Sequence, residues 1–198
     1  MSEDTRRAKA LIRRVLRDRR RSASQDKVRT VLDIENWPQK WQDKVKTARY
    51  IAAYMPIDEE LRLESFLRSI SVKTCCPKVQ GEDIVFYEAE AGDSFEKGSF
   101  SILEPGSDLP KVDPSLIDII LVPGMGYDLS GTRLGRGKGY YDRFCGILAS
   151  RPLCIGVAAE KNVFSAFPKD PWDLSVDALV TEESFREISG DKTNEVER

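Results

Sequence analysis

The hydrophobic pattern changes character about halfway along the chain. Near the N-terminus, Ala8, Leu11, Ile12, Val15 and Leu16 follow i, i+3, i+4, i+7, i+8 spacing, which predicts a helix docked by one apolar face. Ser22 and Gln25 form a capping box ahead of a second helix carrying Val28, Val31 and Leu32, and Pro38 interrupts the stretch after it. Residues 48–54, ARYIAAY, predict a buried strand ended by Met55 and Pro56. A helix over 58–69 with Leu61, Phe66 and Leu67 inward comes next, then short strands at 71–76 and 83–87. Residues 88–116 are rich in Gly, Pro, Ser and acid and predict a long irregular connection.

The second half alternates in the α/β manner. The run IDIILV at 117–122 is apolar and β-branched, as a central parallel strand must be. A glycine-rich loop follows, then a helix over 139–149 and strands at 153–158 and 176–180. Together these predict an α/β fold: one three-layer domain spanning 1–198, with a mostly parallel, Rossmann-like sheet, helices on both faces and an N-terminal helical segment.

Composition narrows the chemistry. The chain has 198 residues, no histidine, and 31 Lys and Arg against 33 Asp and Glu, for a formal charge of −2. A Ser-His-Asp triad, a Cys-His dyad and any His-ligated metal are therefore excluded. The four cysteines, Cys75, Cys76, Cys145 and Cys154, lie in or beside apolar segments and predict buried free thiols of a reducing, cytoplasmic compartment. No apolar run is long enough to cross a membrane, so no membrane partner is expected.

Charge is uneven. Residues 6–21 hold nine basic side chains against one acid, Asp18, and Lys9, Arg13 and Arg17 form an i, i+4, i+8 row suited to a polyphosphate. A nucleic-acid-binding module built on this helix is the rival reading. No aromatics interleave with the arginines, and the rest of the chain is acidic, so nucleic acid is not the expected partner.

The chemistry concentrates in PGMGYDLSGTRLGRGKGYYD, residues 123–142, which starts where a parallel strand ends and stops inside a helix. Gly135, Gly137 and Gly139 alternate with Arg136 and Lys138, so backbone N–H groups, a helix N-terminus and full charges, Arg133 included, converge on one anion site. The spacing matches neither a Walker A loop nor a dinucleotide fingerprint. Asp142, one turn into the helix, is placed to hold Mg²⁺ beside a phosphate, and Asp177, an acid inside the strand 176–180, is the second candidate ligand. A sugar-phosphate isomerase or acyl-transfer enzyme on a similar scaffold would leave the RGKGYYD run unexplained.

The stretch from Val122 to Asp142 resembles the signature of the 5-formyltetrahydrofolate cyclo-ligase family, also called 5,10-methenyltetrahydrofolate synthetases. Lys9 with Arg13, the segment from Tyr54 and Met55 to Glu60 and Leu61, ILEP at 102–105 and VDALVT at 176–181 resemble further family motifs. Leu63 stands where the family usually has Thr, Asn162 where Gln is frequent, and Trp172 where bacterial members commonly have His. The resemblance implies an enzyme that closes 5-formyltetrahydrofolate to 5,10-methenyltetrahydrofolate with ATP and Mg²⁺, releasing ADP and phosphate through a phosphorylated formyl group. It implies ATP contacts at Lys9, Arg13, Arg133, Leu134, Gly135, Arg136, Gly137, Lys138, Gly139, Tyr140 and Tyr141, with Arg136 and Lys138 catalytic. Folate contacts fall on Met55, Glu60, Arg136, Gly137, Lys138, Gly139 and Tyr140, and the metal on Asp142 and Asp177. The expected protein is a monomer with small-molecule partners.

Overall fold

A computed structural model describes residues 3–22, 32–57, 60–89, 93, 95–98 and 102–188. At its centre is a seven-stranded sheet. The five inner strands, β1 (Tyr50–Ala52), β2 (Lys73–Gln80), β6 (Ile117–Pro123), β9 (Leu153–Val157) and β11 (Ala178–Val180), pair in parallel. The edges β3 (Asp83–Glu88) and β12 (Phe185–Glu187) are antiparallel to their neighbours. From β1 the chain adds β2 on one side, then crosses to add β6, β9 and β11 on the other. The order therefore reverses between β1 and β6, and such a switch point opens a crevice at the carboxyl ends of the strands.

Alternation along the strands builds the layers. Ile119 and Leu121 face the cluster of Trp37, Trp41, Val45, Leu61 and Phe66, contributed by α2 (Gln39–Thr47), α3 (Glu64–Ser69) and the segments before them. Ile120 and Val122 face Tyr141, Phe144 and Cys145 on α4 (Tyr140–Ile147). The expected three layers and mostly parallel sheet are present, as are buried free thiols at all four cysteines. Burial in apolar surroundings pushes the Cys76 thiol up to about 12, so it is held protonated.

Several elements differ from expectation. The second helix predicted after Ser22, with Gln25, Val28 and Val31, falls mainly on 23–31, outside the described residues. Pro38 opens a helix rather than breaking one: its carbonyl accepts from the N–H of Trp41 at 2.8 Å, and a missing N–H costs nothing at a helix start. The helix expected over 58–69 is only Glu64–Ser69 in the structure, and residues 58–59 lie outside the described set. The connection 88–116 contains the hairpin β4 (Phe95–Lys97) and β5 (Leu103–Pro105), too short and too polar to show period-2 patterning.

The loop after β6 is itself folded. β7 (Gly126–Asp128) pairs with β8 (Arg133–Leu134) and with β10 (Val163–Phe164) in a second small sheet. The ring of Tyr127 seals it to the main sheet, with its hydroxyl donating to the Val122 carbonyl at 2.6 Å. A Cβ on Gly124 or Gly156 would come within 2.8 and 2.7 Å of that ring, so both positions require glycine. Asp128 fastens the turn: its carboxylate accepts the N–H groups of Ser130, Thr132 and Phe167.

The helix α1 (Glu3–Ser22) docks on this small sheet, but not by the predicted face. Leu16 is buried with Met125 and Leu134, and Ile12 packs beside them, whereas Leu11 is 58% exposed and Val15 44%. The inward stripe is Lys9, Ile12, Arg13 and Leu16. Lys9 displaces an apolar neighbour because its charge is met inside by two carboxylates, so ion pairing overrides the hydrophobic pattern.

Candidate active site

A cavity of about 1140 Å³ opens at the crevice between β1 and β6. Single small-molecule sites run to about 300–1,000 Å³, so this cavity is at the upper end of that range. Its lining takes Arg133 of β8 and the loop 135–139 after it, residues 54–57 and Glu60 from the chain leaving β1, Lys9 and Arg13 of α1, and Val79 and Glu104 of β2 and β5.

The glycine-rich segment adopts the backbone its sequence requires. Gly137 has φ +99° and Gly139 φ +69°, the left-handed region that side chains resist. Gly139 is the N-cap of α4, and its carbonyl accepts the first helical bond, from the N–H of Arg143 at 2.9 Å. A side chain at Gly137 would meet only ordinary contacts, the nearest being Arg13 at 3.6 Å. Backbone strain alone therefore sets the cost of Gly137→Ala, expected at about 1–2 kcal/mol. Urea unfolding measures it, and unchanged stability would contradict the assigned backbone.

The cations are fixed from behind. Arg13 donates from Nε to the Gly135 carbonyl at 2.8 Å, tying α1 to the loop. Burial lowers its pKa from the ordinary guanidinium value, and the Asp173 carboxylate opposes that shift. Arg133 donates to the Pro123 carbonyl at 2.8 Å, lies 5.1 Å over the Tyr141 ring and approaches Asp142 Oδ2 at 3.5 Å. Arg136 reaches across the crevice to Glu60 at 3.2 Å, and Glu60 also accepts from the N–H of Ile57 at 3.3 Å. Thus the loop after β6 is linked to the chain after β1. Lys138 lines the cavity as an exposed side chain, while its carbonyl accepts from Arg143 at 2.8 Å.

The structure brings together most of the residues singled out from sequence. Met55, Glu60, Lys9, Arg13, Arg133, Gly135, Arg136, Gly137, Lys138, Gly139, Tyr140, Tyr141 and Asp142 all line the one cavity. Two of the residues singled out lie apart from the lining of this cavity, and only the placement of Asp177 overturns its assignment. Leu134 does not line it, because its side chain is core beside Leu16 and Met125. Asp177 does not line it either: its carboxylate accepts from Arg151 at 2.5 Å and from the N–H of Cys154 at 2.7 Å, at the amino ends of β9 and β11, whereas the crevice is at the carboxyl ends. Lys9 lines the cavity, with its ammonium held by Asp170 at 2.9 Å and by Asp173.

Tyr140 and Tyr141 have one face each covered by a guanidinium, Arg143 at 5.4 Å and Arg133 at 5.1 Å. Burial raises the Tyr141 phenol well above its ordinary pKa, so it is a neutral hydroxyl and no base. Arg6, Glu104, Arg143 and Trp172 also line the cavity and were not assigned to the site from sequence. Only ILEP and the WD dipeptide marked two of them; nothing in the local pattern marks Arg6 or Arg143.

For a metal, the described residues hold no group of three or more acidic or cysteine ligands. Asp142 offers one carboxylate, with Oδ1 accepting from the N–H of Leu174 at 2.9 Å and Oδ2 turned toward Arg133. One carboxylate suffices for Mg²⁺ when phosphate oxygens and water complete the shell, so the residues fit a metal that arrives with a phosphate ligand.

The chain is similar to known proteins. The family model described as the 5-formyltetrahydrofolate cyclo-ligase family matches residues 5–182. The 5-formyltetrahydrofolate cyclo-ligase of Mycoplasma pneumoniae is 32% identical over 140 residues, covering 67% of this chain and 73% of that protein. The Mus musculus cyclo-ligase is 28% identical over 157 residues, covering 72% and 77%. The NMR structure of Aquifex aeolicus 5,10-methenyltetrahydrofolate synthetase superposes with a TM-score of 0.72 at 32% identity, covering 94% of this chain and 96% of that one.

Proposed function

The chain belongs to the 5-formyltetrahydrofolate cyclo-ligase family, and from that premise we propose that its cavity binds ATP and 5-formyltetrahydrofolate side by side and joins them in one phosphoryl transfer. The observation that carries the reading is the placement of the cationic, glycine-rich loop 133–139 on the same crevice as Met55 and Glu60.

The reaction is ATP-dependent closure of 5-formyltetrahydrofolate to 5,10-methenyltetrahydrofolate, with release of ADP and phosphate. The formyl oxygen attacks the γ-phosphorus and the bond to ADP breaks. N10 then attacks the activated formyl carbon, loses its proton, and the carbon–oxygen bond breaks to release phosphate. Such transfer depends on alignment and charge neutralisation more than on a protein nucleophile, which suits a chain without histidine.

Roles follow from position. The N–H groups of the 135–139 segment and the start of α4 receive the phosphates, and Lys138 and Arg136 meet the charge that spreads over the transferring group. Arg13 and Arg133 shape the cradle, each already anchored to a backbone carbonyl. Met55 and Glu60 contact the folate, with Arg136 able to pass from Glu60 to the phosphoryl group as the substrates enter. Lys9 holds α1 in place through Asp170 and Asp173. Asp142 would hold Mg²⁺, whose chemistry is to neutralise the β- and γ-phosphates. The protein acts as one domain, a cytoplasmic monomer with small-molecule substrates and no nucleic-acid or membrane partner.

Asp142→Asn keeps an oxygen for the Leu174 N–H and removes the charge. It is expected to raise the Mg²⁺ concentration for half-maximal rate by about tenfold. A titration curve superposing on the parent's would take Asp142 out of the metal site. The proposed activity itself is tested with purified protein, 5-formyltetrahydrofolate, ATP and Mg²⁺. Absorbance of the methenyl product should appear only with ATP, and an ¹⁸O-labelled formyl group should deliver its label to phosphate. No product, or unlabelled phosphate, would overturn the reading.

A further inference from the structure

We propose that Trp172 is the stacking platform for the nucleobase of ATP, a reading that rests on the nucleotide site assigned above. Trp172 is 58% exposed, an unusual state for an indole, and it lines the cavity on the side formed by α1. The other aromatic rings of the cavity already have a partner on the protein. Tyr54 is buried with its hydroxyl bound to the Leu61 carbonyl at 2.7 Å, and Tyr140 and Tyr141 each have a guanidinium over one face. Among the described residues, no ring or cation covers the indole of Trp172.

The exposure is not that of a loose loop tip. The backbone around Trp172 is fastened on both sides. The Asp173 N–H donates to the Asp170 carbonyl at 3.1 Å, and the Asp170 N–H donates back to the Asp173 carboxylate at 2.6 Å. Both carboxylates hold Lys9 of α1. On the other side the Leu174 N–H donates to Asp142, Ser175 bridges to Thr132, and the Val176 N–H donates to the Gly131 carbonyl at 3.0 Å. The indole is thus presented by a rigid turn bonded directly to α1, to α4 and to the strand entering the cradle.

That position selects the ligand end. Arg13, within electrostatic reach of Asp173, and Asp142, which accepts from the Leu174 N–H, belong to the phosphate half of the cavity, whereas Met55 and Glu60 belong to the β1 side. A purine attached to a triphosphate held at 135–139 meets a flat apolar surface at Trp172, and stacking accepts any purine because every base has a π-face.

Trp172→Ala is expected to raise the KM for ATP about tenfold while kcat and the KM for 5-formyltetrahydrofolate stay within about twofold, and Trp172→Phe is expected to recover most of the loss. Competition by inorganic tripolyphosphate, which has no base, should show the same inhibition constant in parent and variant. An unchanged KM for ATP in Trp172→Ala overturns the proposal, as does a rise confined to the KM for folate or a tripolyphosphate constant that weakens with the KM for ATP. Failure of the parent protein to turn over these substrates would instead sink the assigned function, so the two are told apart.

Discussion

Replacing Lys138 with alanine is expected to lower kcat by about 10²–10³-fold while leaving the melting temperature within about 2 °C of the parent. The reason is the division of labour at the cradle. Arg13 and Arg133 are tied to the carbonyls of Gly135 and Pro123, and Arg136 to Glu60. The Lys138 side chain is exposed at the cavity wall between two glycines of positive φ, so its removal disturbs no core. An ammonium there meets negative charge that grows during transfer, which is a kcat effect rather than a uniform loss of binding. Steady-state kinetics with both substrates varied, beside a thermal melt, measures it. Near-parental kcat would remove Lys138 from the reaction.

Lys9→Met is expected to act on stability first. Lys9 is 4% exposed, and its ammonium is shared between Asp170 and Asp173. Removing one partner of a buried ion pair strands the remaining charge and costs about 3–5 kcal/mol. For a chain of this length that corresponds to a fall in melting temperature of about 10 °C. The damage falls on the docking of α1 and the turn that carries Trp172, so the KM for ATP rises with the loss of stability. Adding Asp170→Asn to Lys9→Met should return part of the stability, since one of the stranded charges is gone. A melting temperature unchanged by Lys9→Met, or a double variant simply additive, would contradict this account of the helix.

The parts of the fold legible in the sequence were those with one strong cause. The run 117–122 is apolar at every second position and beyond because β6 is covered on both faces, by Trp41 and Phe66 on one side and Phe144 on the other. β9 and β11 are legible for the same reason. Elements held by a specific partner were not legible. The inward face of α1 includes Lys9 because Asp170 and Asp173, more than 160 residues away, neutralise it. The hairpin β7–β8 hides in a glycine-rich loop, since its stability comes from Tyr127 packed against Gly124 and Gly156 rather than from alternation.

The site divides in the same way. Residues 133–142 are contiguous and their residue types state an anion cradle directly. Met55 and Glu60 are marked in the sequence only by likeness to a family; they follow β1, the strand next to β6, at the point where the strand order reverses. Asp177 illustrates the converse error. An acid inside an apolar strand demands a partner, and the partner is Arg151 with the N–H of Cys154 rather than a metal shared with Asp142.

The central claim is that the loop 133–139 clasps the triphosphate of ATP against bound folate. A crystal structure with a non-hydrolysable ATP analogue, Mg²⁺ and 5-formyltetrahydrofolate tests it most directly. The account predicts phosphate oxygens within about 3 Å of the backbone N–H groups of Gly137 and Gly139 and of Lys138 Nζ, with the folate between them and Met55. Phosphates bound elsewhere, or a folate that occupies the cradle in their place, would contradict it.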